Sequence, residues 1–287
     1  RHGPYYLLLD EVQLLDGFEY VLNGYLREPN LDIYVTGSNA KFLSQDIITE
    51  FAGRGDAIHM YPLSFAEFMT AYSGDRYAGL TEYMLYGGLP LVVLKENEDE
   101  KASMLETLFQ EIYLRDIYLR HNVKNQDELE DLLNVISSGI GSLTNPEKLK
   151  KTFQSRKNSK ITSATIKKYL GYLEDSFLVE SASRYDIKGK EYIETPKKYY
   201  FSDLGLRNAR LNFRQFEENH AMENVIYNEL KMRGYHVDVG VNFVSEKEES
   251  GKQIRKALEV DFVCNKGSKR YYIQSAYSIP NEEKRNQ

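Results

Sequence analysis

Short apolar runs alternate with amphipathic segments at the start of the chain. Residues 5–9 (YYLLL) and 31–36 (LDIYVT) are apolar-rich runs, typical of strands that are buried on both faces of a parallel sheet. Residues 14–27 carry apolar side chains at helical spacing, a second helix is expected near 40–52, and residues 57–61 (AIHMY) indicate a third strand. Strand, helix, strand, helix, strand with short connections predicts a doubly wound parallel sheet of the α/β class.

The middle of the chain carries helical periodicity in six segments. The last of them has Thr162 or Ser163 as its expected N-cap, because a hydroxyl there accepts a hydrogen bond from the first helical turn. Its apolar positions, on one face of the helix, are Ile166, Tyr169, Leu170 and Leu173. The six helices are predicted at 64–73, 79–86, 98–121, 127–141, 146–155 and 161–179.

A β-hairpin is predicted immediately after these helices. The segments VESASRYD (179–186) and KKYYFSD (197–203) flank a turn signal at KGKE. Two helices, a recognition-type helix and a hairpin wing are typical of the winged helix-turn-helix. The last third of the chain then predicts a helix at 221–233, a strand at 235–241 and two further strands joined by a Gly-containing turn.

The composition is ordinary for a globular protein with more than one compact unit. At 287 residues, 41% hydrophobic and 28% charged, the chain is long enough for two or three cores. No run of about 18 uncharged apolar residues occurs, so we expect no membrane span. The single cysteine, Cys264, excludes internal disulfides and multi-cysteine zinc sites and fits a reducing, cytoplasmic location. We expect Cys264 to be a small core residue.

Polar side chains follow both of the first two predicted strands. Asp10 and Glu11 follow the first strand, and Thr36–Asn39 follow the second. Ligands of doubly wound sheets bind beyond the carboxyl ends of the strands. At such an edge one carboxylate suits Mg²⁺, the next can polarise an attacking water, and Ser38 or Asn39 can fix that water. The alternative is that Asp10 and Glu11 only cap the following helix.

Two arginine-containing segments allow more than one interpretation. Arg54 in FAGRGD precedes the third predicted strand, where it can reach the γ-phosphate of a nucleotide on a neighbouring subunit or serve a structural role. The helix at 98–121 ends in YLRDIYLRH, and its apolar positions are expected to pack against the lid of the first region. In the alternative interpretation Arg115, Asp116 and Arg120 form an ion-pair latch.

Six motifs are spread over nearly the whole chain: LLLDEVQ, VTGSNAKFL, FAGRGDAIHMYPLSFAEF, YGGLPLVV, YLRDIYLRH and KYYFSDLGLRN. With them the chain resembles the AAA+ superfamily ATPases of bacteria and archaea that carry a C-terminal domain of unknown function. In that family the first two motifs are Walker B and sensor 1. The resemblance implies ATP and Mg²⁺ as cofactors, Asp10 as the Mg²⁺ ligand, Glu11 as the water-activating base and Asn39 as the sensor. By its position Arg54 becomes a candidate trans-acting finger.

One element of that family has no match in the sequence. No segment fits G-x-x-x-x-G-K-[ST], the loop whose amides and lysine cradle phosphates. Without the strand before that loop, the sheet would expose apolar edges and unpaired backbone. We therefore expect a truncated P-loop sheet, with the missing portion present upstream in the natural protein and a second cut after NEEKRNQ. We also expect that this chain alone neither binds nor hydrolyses ATP.

A strongly basic segment lies within the predicted winged helix. Residues 147–170 hold eight Lys and Arg against Glu147 alone, a local charge of +7 in a chain of net charge −6. Phosphate contacts by these cations would make DNA binding strongly salt-dependent. The candidate DNA contacts are Lys160, Lys167 and Lys168. The alternatives are a protein-docking module and a solvated face.

The α-β-β-β order of the last third resembles the PD-(D/E)xK nuclease core. That resemblance implies Glu223 and Asp261 as metal ligands, with Gln274-Ser275-Ala276 at the E-x-K position. Gln274 adds no negative charge and Ala276 cannot position a hydroxide. We therefore expect a degenerate site in an inactive fold kept for binding, with Glu259 as a further candidate ligand of a weak metal site.

These patterns divide the chain into four regions. We expect a partial AAA+ core (1–72), a helical lid or linker (73–125), a winged helix (126–205) and a degenerate nuclease-like domain (206–287). The favoured function is an ATPase that couples nucleotide state to the winged-helix and nuclease-like modules. The alternatives are a non-hydrolysing, nucleotide-dependent regulator that binds DNA or a protein partner, and an active nuclease. A homo-oligomer is a candidate assembly.

Overall fold

A computed structural model describes residues 3–38, 51, 54–157, 159–247 and 253–276. These residues form a mixed α/β structure with a two-stranded sheet, a helical region and a six-stranded sheet, in chain order. Among the described helices, none has the length and apolar character needed to cross a membrane.

The first two predicted strands are confirmed as strands, but the expected burial on both faces is wrong, since Tyr5, Tyr6, Leu8 and Tyr34 are 50–73% exposed. Strands β1 (Tyr5–Leu9) and β2 (Leu31–Val35) pair in parallel. A short 3₁₀ turn (Val12–Leu14) and helix α1 (Phe18–Tyr25) connect them, so the chain crosses from one strand to the next as the sequence indicates. The apolar core of this unit consists of Val12, Phe18 and Leu22 packed on Leu9, Ile33 and Val35.

The strand predicted at 57–61 is wrong, since this segment is irregular and pairs with no described strand. The ring of His59 lies 4.8 Å from the ring of Phe177, and Tyr61 is partly buried, whereas Ile58 and Met60 face solvent. The packed side chains of this segment are therefore His59 and Tyr61, and not the apolar Ile58 and Met60. The helix expected near 40–52 lies outside the described residues.

The six predicted helices are confirmed, with ends shifted by a few residues. The hydroxyl of Thr162 accepts a hydrogen bond from the Thr165 amide at 3.1 Å, so it is the N-cap, and the predicted apolar face of that helix is buried. The segment at 98–121 contains a π-helical stretch between two α-helices. The elements are α2 (Phe65–Ala71), α3 (Arg76–Tyr86), α4 (Pro90–Val93), α5 (Glu98–Thr107), the π-helical stretch (Leu108–Leu114), α6 (Arg115–His121), α7 (Gln126–Ser138), α8 (Pro146–Lys157) and α9 (Ser163–Asp175).

The second sheet has the order β3-β5-β4-β6-β7-β8. All neighbouring strands are antiparallel except β4 and β6, which are parallel. The predicted hairpin is β4 with β5, and the three predicted C-terminal strands are β6, β7 and β8. The strands span Leu143–Thr144 (β3), Val179–Asp186 (β4), Glu191–Phe201 (β5), His236–Lys247 (β6), Gln253–Lys266 (β7) and Lys269–Ile273 (β8).

The hairpin and the C-terminal strands belong to this one sheet, because β4 pairs with β6 at Tyr185 and Gly240. The boundary expected between regions 126–205 and 206–287 therefore separates two strands, β4 and β6, that are hydrogen-bonded to each other. The domain limits stay predictions. Helices α10 (Leu204–Arg210) and α11 (Glu218–Met232) lie between β5 and β6 in the chain.

Helix α11 packs on one face of this sheet. The ring of Tyr227 stacks on the ring of Tyr200 with centroids 4.2 Å apart, and Phe262 completes the aromatic cluster. Cys264 is fully buried in the same core, as predicted, and burial raises the pKa of its thiol to about 11. A thiol with so high a pKa is a small apolar side chain at neutral pH rather than a nucleophile.

Candidate functional site

Asp10 and Glu11 lie at the carboxyl end of β1, beside the end of β2. Leu9 and Val35 are opposite each other in the last register position of the parallel pair, and the Thr36 amide donates to the Leu9 carbonyl at 2.9 Å. The Thr36 hydroxyl donates to Oδ1 of Asp10. Parallel pairing therefore brings the acidic pair and the polar residues after β2 to one edge, as the sequence indicates.

Glu11 is held by both its backbone and its side chain. Its backbone is left-handed, with φ 49° and ψ 44°, a conformation that a non-glycine residue adopts at a steric cost. Its amide donates to the Thr36 hydroxyl at 3.3 Å, and its Oε2 accepts a hydrogen bond from the Ser38 hydroxyl at 3.0 Å. Strained residues of this kind cluster at functional sites. Glu11 does not cap the 3₁₀ turn that follows it, because its side chain makes no capping hydrogen bond there.

Arg120 from the helical region reaches the same edge. Its Nη2 donates to the Ser38 hydroxyl at 3.1 Å and to Oδ1 of Asp116 at 2.9 Å. A continuous chain of hydrogen bonds thus runs from α6 through Ser38 to the carboxylate of Glu11. The Nη1 atom of Arg120 is buried and has no hydrogen-bond partner among the described residues. Arg120 and Asp116 form the ion pair of the latch interpretation, whereas Arg115 pairs with Glu111 on the surface.

Arg54 is engaged within its own chain. Its Nη2 donates to Oδ1 of Asn23 on α1 at 2.7 Å, and its Nε donates to the carbonyl of Phe51 at 3.1 Å. These contacts favour the structural role, although an exposed arginine of this kind can also exchange partners. Asn39, the expected sensor, lies outside the described residues.

The candidate DNA contacts lie on an exposed basic face. Lys160, Lys167 and Lys168 are all exposed, and the Nζ of Lys168 lies 5.7 Å from the ring centre of Tyr172. A hydrogen bond from Ser163 lowers the pKa of Glu147, and nearby lysines, Lys167 among them, lower it further. The face therefore has a positive local field.

A second cluster of polar groups joins the six-stranded sheet to α11, with Lys198 buried, Glu223 partly buried and Glu259 exposed. The Nζ of Lys198 on β5 lies 2.9 Å from Oε1 of Glu223 on α11 and 2.7 Å from Oε1 of Glu259 on β7. The Tyr200 hydroxyl donates to the same oxygen of Glu223 at 2.7 Å. Burial raises the pKa of Tyr200, and Glu223 raises it further, so the phenol stays protonated.

The remaining residues of the predicted degenerate site pair with each other. Oδ2 of Asp261 accepts hydrogen bonds from Nε2 of Gln274 at 2.8 Å and from the Ser275 amide at 2.7 Å. Asp261 lies close enough to Tyr200 to raise the pKa of that phenol. Glu223, Asp261 and Gln274 therefore lie in one neighbourhood, but each carboxylate already has donors from the protein.

Comparison with known proteins gives an independent view of both halves of the chain. Residues 1–69 match the model of an AAA domain. Residues 77–217 match a domain of unknown function, DUF8612. The chain is 37% identical over 280 residues to an uncharacterized protein of Haemophilus influenzae, with 96% of this chain and 66% of that protein covered. It is 28% identical over 287 residues to the uncharacterized protein MJ1544 of Methanocaldococcus jannaschii, with 95% of this chain and 61% of that protein covered.

The AAA match includes Asp10, Glu11, Thr36 and Ser38 and supports an AAA-like, P-loop type ATPase region at residues 1–69. The DUF8612 match includes Arg120, so the hydrogen bond between Arg120 and Ser38 joins the two matched regions. The chain spans 61–66% of the length of these two relatives.

The residues at the carboxyl ends of β1 and β2 fit a magnesium ion whose coordination is completed by a nucleotide. The described residues contain no group of three or more His, Cys, Asp or Glu side chains placed to hold a metal. Mg²⁺ in nucleotide sites needs only one or two protein oxygens, since phosphates and waters supply the others. The Asp10 carboxylate and the Thr36 hydroxyl are hard oxygen donors of this kind.

Sequence reasoning missed Lys198, Tyr200 and the role of Arg120. The first two lie on β5, where the chain reads as a plain strand, and their partners are 23 to 61 residues away in sequence. The one available signal was a lysine next to aromatic residues in KKYYF, since a buried lysine needs an acidic partner. Arg120 stood in the YLRDIYLRH motif, but nothing in its spacing indicated Ser38 as its partner.

Proposed function

We propose that the full-length protein is an AAA-type ATPase in which nucleotide state at the edge of β1 and β2 controls the DUF8612 region. The proposal assigns Asp10 to Mg²⁺, Glu11 to the attacking water and Asn39 to sensing. Arg54 stays in its structural role on Asn23 unless it leaves that partner for a neighbouring subunit. The phosphate-cradling loop has no match in these 287 residues, so the activity is proposed for the full-length protein and not for this chain alone.

The chain of hydrogen bonds from Glu11 through Ser38 to Arg120 carries the proposal. In this proposal, movement of the Glu11 carboxylate is passed through the Ser38 hydroxyl to the guanidinium of Arg120. A change at the catalytic edge therefore has a direct route into α6. This route explains why two matched regions meet at these three side chains.

The chemistry follows from the two carboxylates. Bound Mg²⁺ supplies charge neutralisation at the transferred phosphoryl group. Thr36 orients the Asp10 carboxylate toward that position, and Ser38 orients the Glu11 carboxylate, which accepts a proton from the attacking water. Arg120 keeps Ser38 in place through its guanidinium.

Replacement of Glu11 by Gln tests the catalytic part. The amide has the same size but cannot accept the proton of the water, so we expect kcat for ATP to fall at least about 100-fold while nucleotide binding is retained. The measurement is phosphate release by the full-length protein with Mg²⁺ and ATP. The matched control is Asp16→Asn, an exposed acid in the turn before α1, which should leave turnover unchanged. Normal turnover in the Glu11→Gln protein contradicts the proposal.

A non-hydrolysing regulator that binds DNA is the second candidate function. The exposed basic face at Lys160, Lys167 and Lys168 favours it, within what we propose is a winged helix. The two candidates differ in one measurement. DNA affinity that falls steeply with salt and with the double change Lys167→Glu and Lys168→Glu, together with no ATP turnover, selects the regulator.

We propose that the nuclease-like order of α11, β6, β7 and β8 is an inactive fold kept for binding. The support is that Glu223 and Asp261 already accept hydrogen bonds from Lys198 and Gln274. An active nuclease would instead show Mg²⁺-dependent cleavage of DNA that Asp261→Ala abolishes.

A further inference from the structure

The amine of Lys198 lies at the centre of the polar cluster that joins the six-stranded sheet to α11. We infer that the ammonium group of Lys198 takes the position of a divalent cation, so that a covalently attached charge holds the C-terminal module together and no metal ion binds there. The ammonium contacts Glu223 and Glu259 at 2.9 and 2.7 Å. The inference stands whether or not the protein hydrolyses ATP.

The geometry joins three elements at one point. Lys198 comes from β5, Glu223 from α11 and Glu259 from β7, and these elements are far apart in sequence. Its side chain is only 5% exposed and that of Glu223 only 12%, so both charges are withdrawn from water. A buried lysine persists only when carboxylates pair with it, and the same holds for a buried carboxylate. The contact is therefore a cross-link between the hairpin, the helix and the C-terminal strands.

The charge balance explains why one amine suffices. A divalent ion would neutralise both carboxylates, whereas the ammonium neutralises one. Glu259 is 36% exposed, so water solvates the remaining charge. The Tyr200 hydroxyl adds a neutral donor to Glu223.

A metal ion and this ammonium exclude each other. A divalent ion needs carboxylate oxygens at about 2.0–2.6 Å, and the relevant oxygens already face the amine. Two positive centres in a poorly hydrated space repel each other strongly. One oxygen of Asp261, Oδ2, is already engaged by two donors, the Gln274 amide group and the Ser275 backbone amide.

The test is to remove the amine and ask whether a metal takes its place. Lys198→Met keeps the length of the side chain but leaves Glu223 and Glu259 without their cation. Mn²⁺ binding to the full-length protein is measured by electron paramagnetic resonance of free Mn²⁺, without nucleotide, together with thermal unfolding. The matched control is Lys197→Met, since Lys197 is the neighbouring residue of β5 and points to the opposite face, toward Ser181.

We expect the wild type and Lys197→Met to show no saturable Mn²⁺ site in this module. Lys198→Met should have a lower melting temperature in metal-free buffer, gain one saturable Mn²⁺ site and regain on the order of 5 °C when the ion saturates it. The double variant Lys198→Met with Glu223→Gln should lose that site. This last result assigns the ion to the cluster rather than to the Asp10 edge.

Two results overturn the inference. One is a folded Lys198→Met protein that gains no Mn²⁺ site. The other is a wild-type protein that binds Mn²⁺ at a site removed by Glu223→Gln, because the ammonium and the metal would then coexist. The wild-type measurement is decisive even if Lys198→Met does not fold. A Mn²⁺ site in the wild type that Glu223→Gln removes overturns the inference. The absence of such a site in the wild type supports it.

Discussion

Asp203 shows how one buried acid joins two distant sequence motifs. It caps α10 by accepting a hydrogen bond from the Leu206 amide at 3.2 Å, and it accepts another from the Gly88 amide at 2.7 Å. Asp203, in the motif KYYFSDLGLRN, is therefore hydrogen-bonded to the glycine turn of the motif YGGLPLVV. A Cβ at Gly87 would collide with the Asp203 carboxylate, and the φ of Gly87 is +77°, so this turn requires glycine for two reasons.

The titration of Asp203 should be detectable in the pH dependence of the free energy of unfolding. Burial raises the pKa of Asp203 to about 6, although amide hydrogen bonds oppose the rise. Between pH 4 and 6 the folded state therefore binds more protons than the unfolded state, so stability falls as pH rises through this window. Asp203→Asn removes the effect, and the wild type should lose on the order of 3 kcal/mol more than this variant between pH 4 and 7. Urea unfolding at several pH values measures it.

The control for that experiment is Asp75→Asn, which replaces an N-cap acid on the surface at the start of α3. It removes a carboxylate from a cap, as Asp203→Asn does, but leaves Asp203 in place. It should therefore keep the wild-type fall in stability between pH 4 and 6. Equal pH profiles for wild type and Asp203→Asn would show that Asp203 is not the group that titrates.

The sequence could predict the contacts of those residues whose neighbours follow from the order of the strands alone. Asp10, Glu11 and Ser38 come together because the ends of adjacent parallel strands meet at one edge. Lys198 could not be predicted, because its two carboxylates come from a helix and a strand whose positions depend on the whole six-stranded sheet. The role of Arg120 likewise depends on the packing of two regions.

At the scale of elements, local periodicity located helices well because each helix buries a continuous face. Helix α9 was predicted with its cap and its core face, and both are present. The strand predicted at 57–61 is wrong because a short apolar run does not show which of its side chains are buried. Ile58 and Met60 face solvent, and His59 instead packs against the ring of Phe177, in the turn after α9.

Two helical glycines should respond to alanine in opposite directions. A Cβ at Gly205 in α10 would fall inside contact distance of the Tyr86 carbonyl oxygen, with the carbonyl carbon at 2.6 Å, and backbone cannot give way easily. We expect Gly205→Ala to destabilise the protein by about 1–3 kcal/mol. A Cβ at Gly171 in α9 meets no described atom within 4 Å beyond its own helix backbone. Gly171→Ala should stabilise the protein by about 0.5–1 kcal/mol, as measured by urea unfolding. Stabilisation by Gly205→Ala would contradict the close approach of α10 to α3, and destabilisation by Gly171→Ala would contradict the open space beside α9.

At the scale of the molecule, the sequence suggested separate modules where the structure has a shared sheet. The pairing of β4 with β6 links the hairpin to strands that begin about fifty residues later. No local pattern predicts such a parallel neighbour, since its register is set only when both segments are folded. A sheet that crosses the expected boundary, with Lys198 as a cross-link, makes the hairpin and C-terminal strands a single mechanical unit.

In the proposed mechanism, Arg120 is the point at which the edge of β1 and β2 acts on α6. Arg120→Ala removes the hydrogen bond to Ser38 and should uncouple the regions in the full-length protein. Hydrogen exchange of α6 and α7 is then expected to become insensitive to ATP, while ATP binding persists. Arg115→Ala is the matched control, because Arg115 lies on the same helix in an exposed ion pair with Glu111, and it should keep the wild-type response. A nucleotide response that survives in Arg120→Ala would mean that the signal passes elsewhere. Retained ATP binding with a lost response would place the coupling in the contact between Arg120, Ser38 and Glu11.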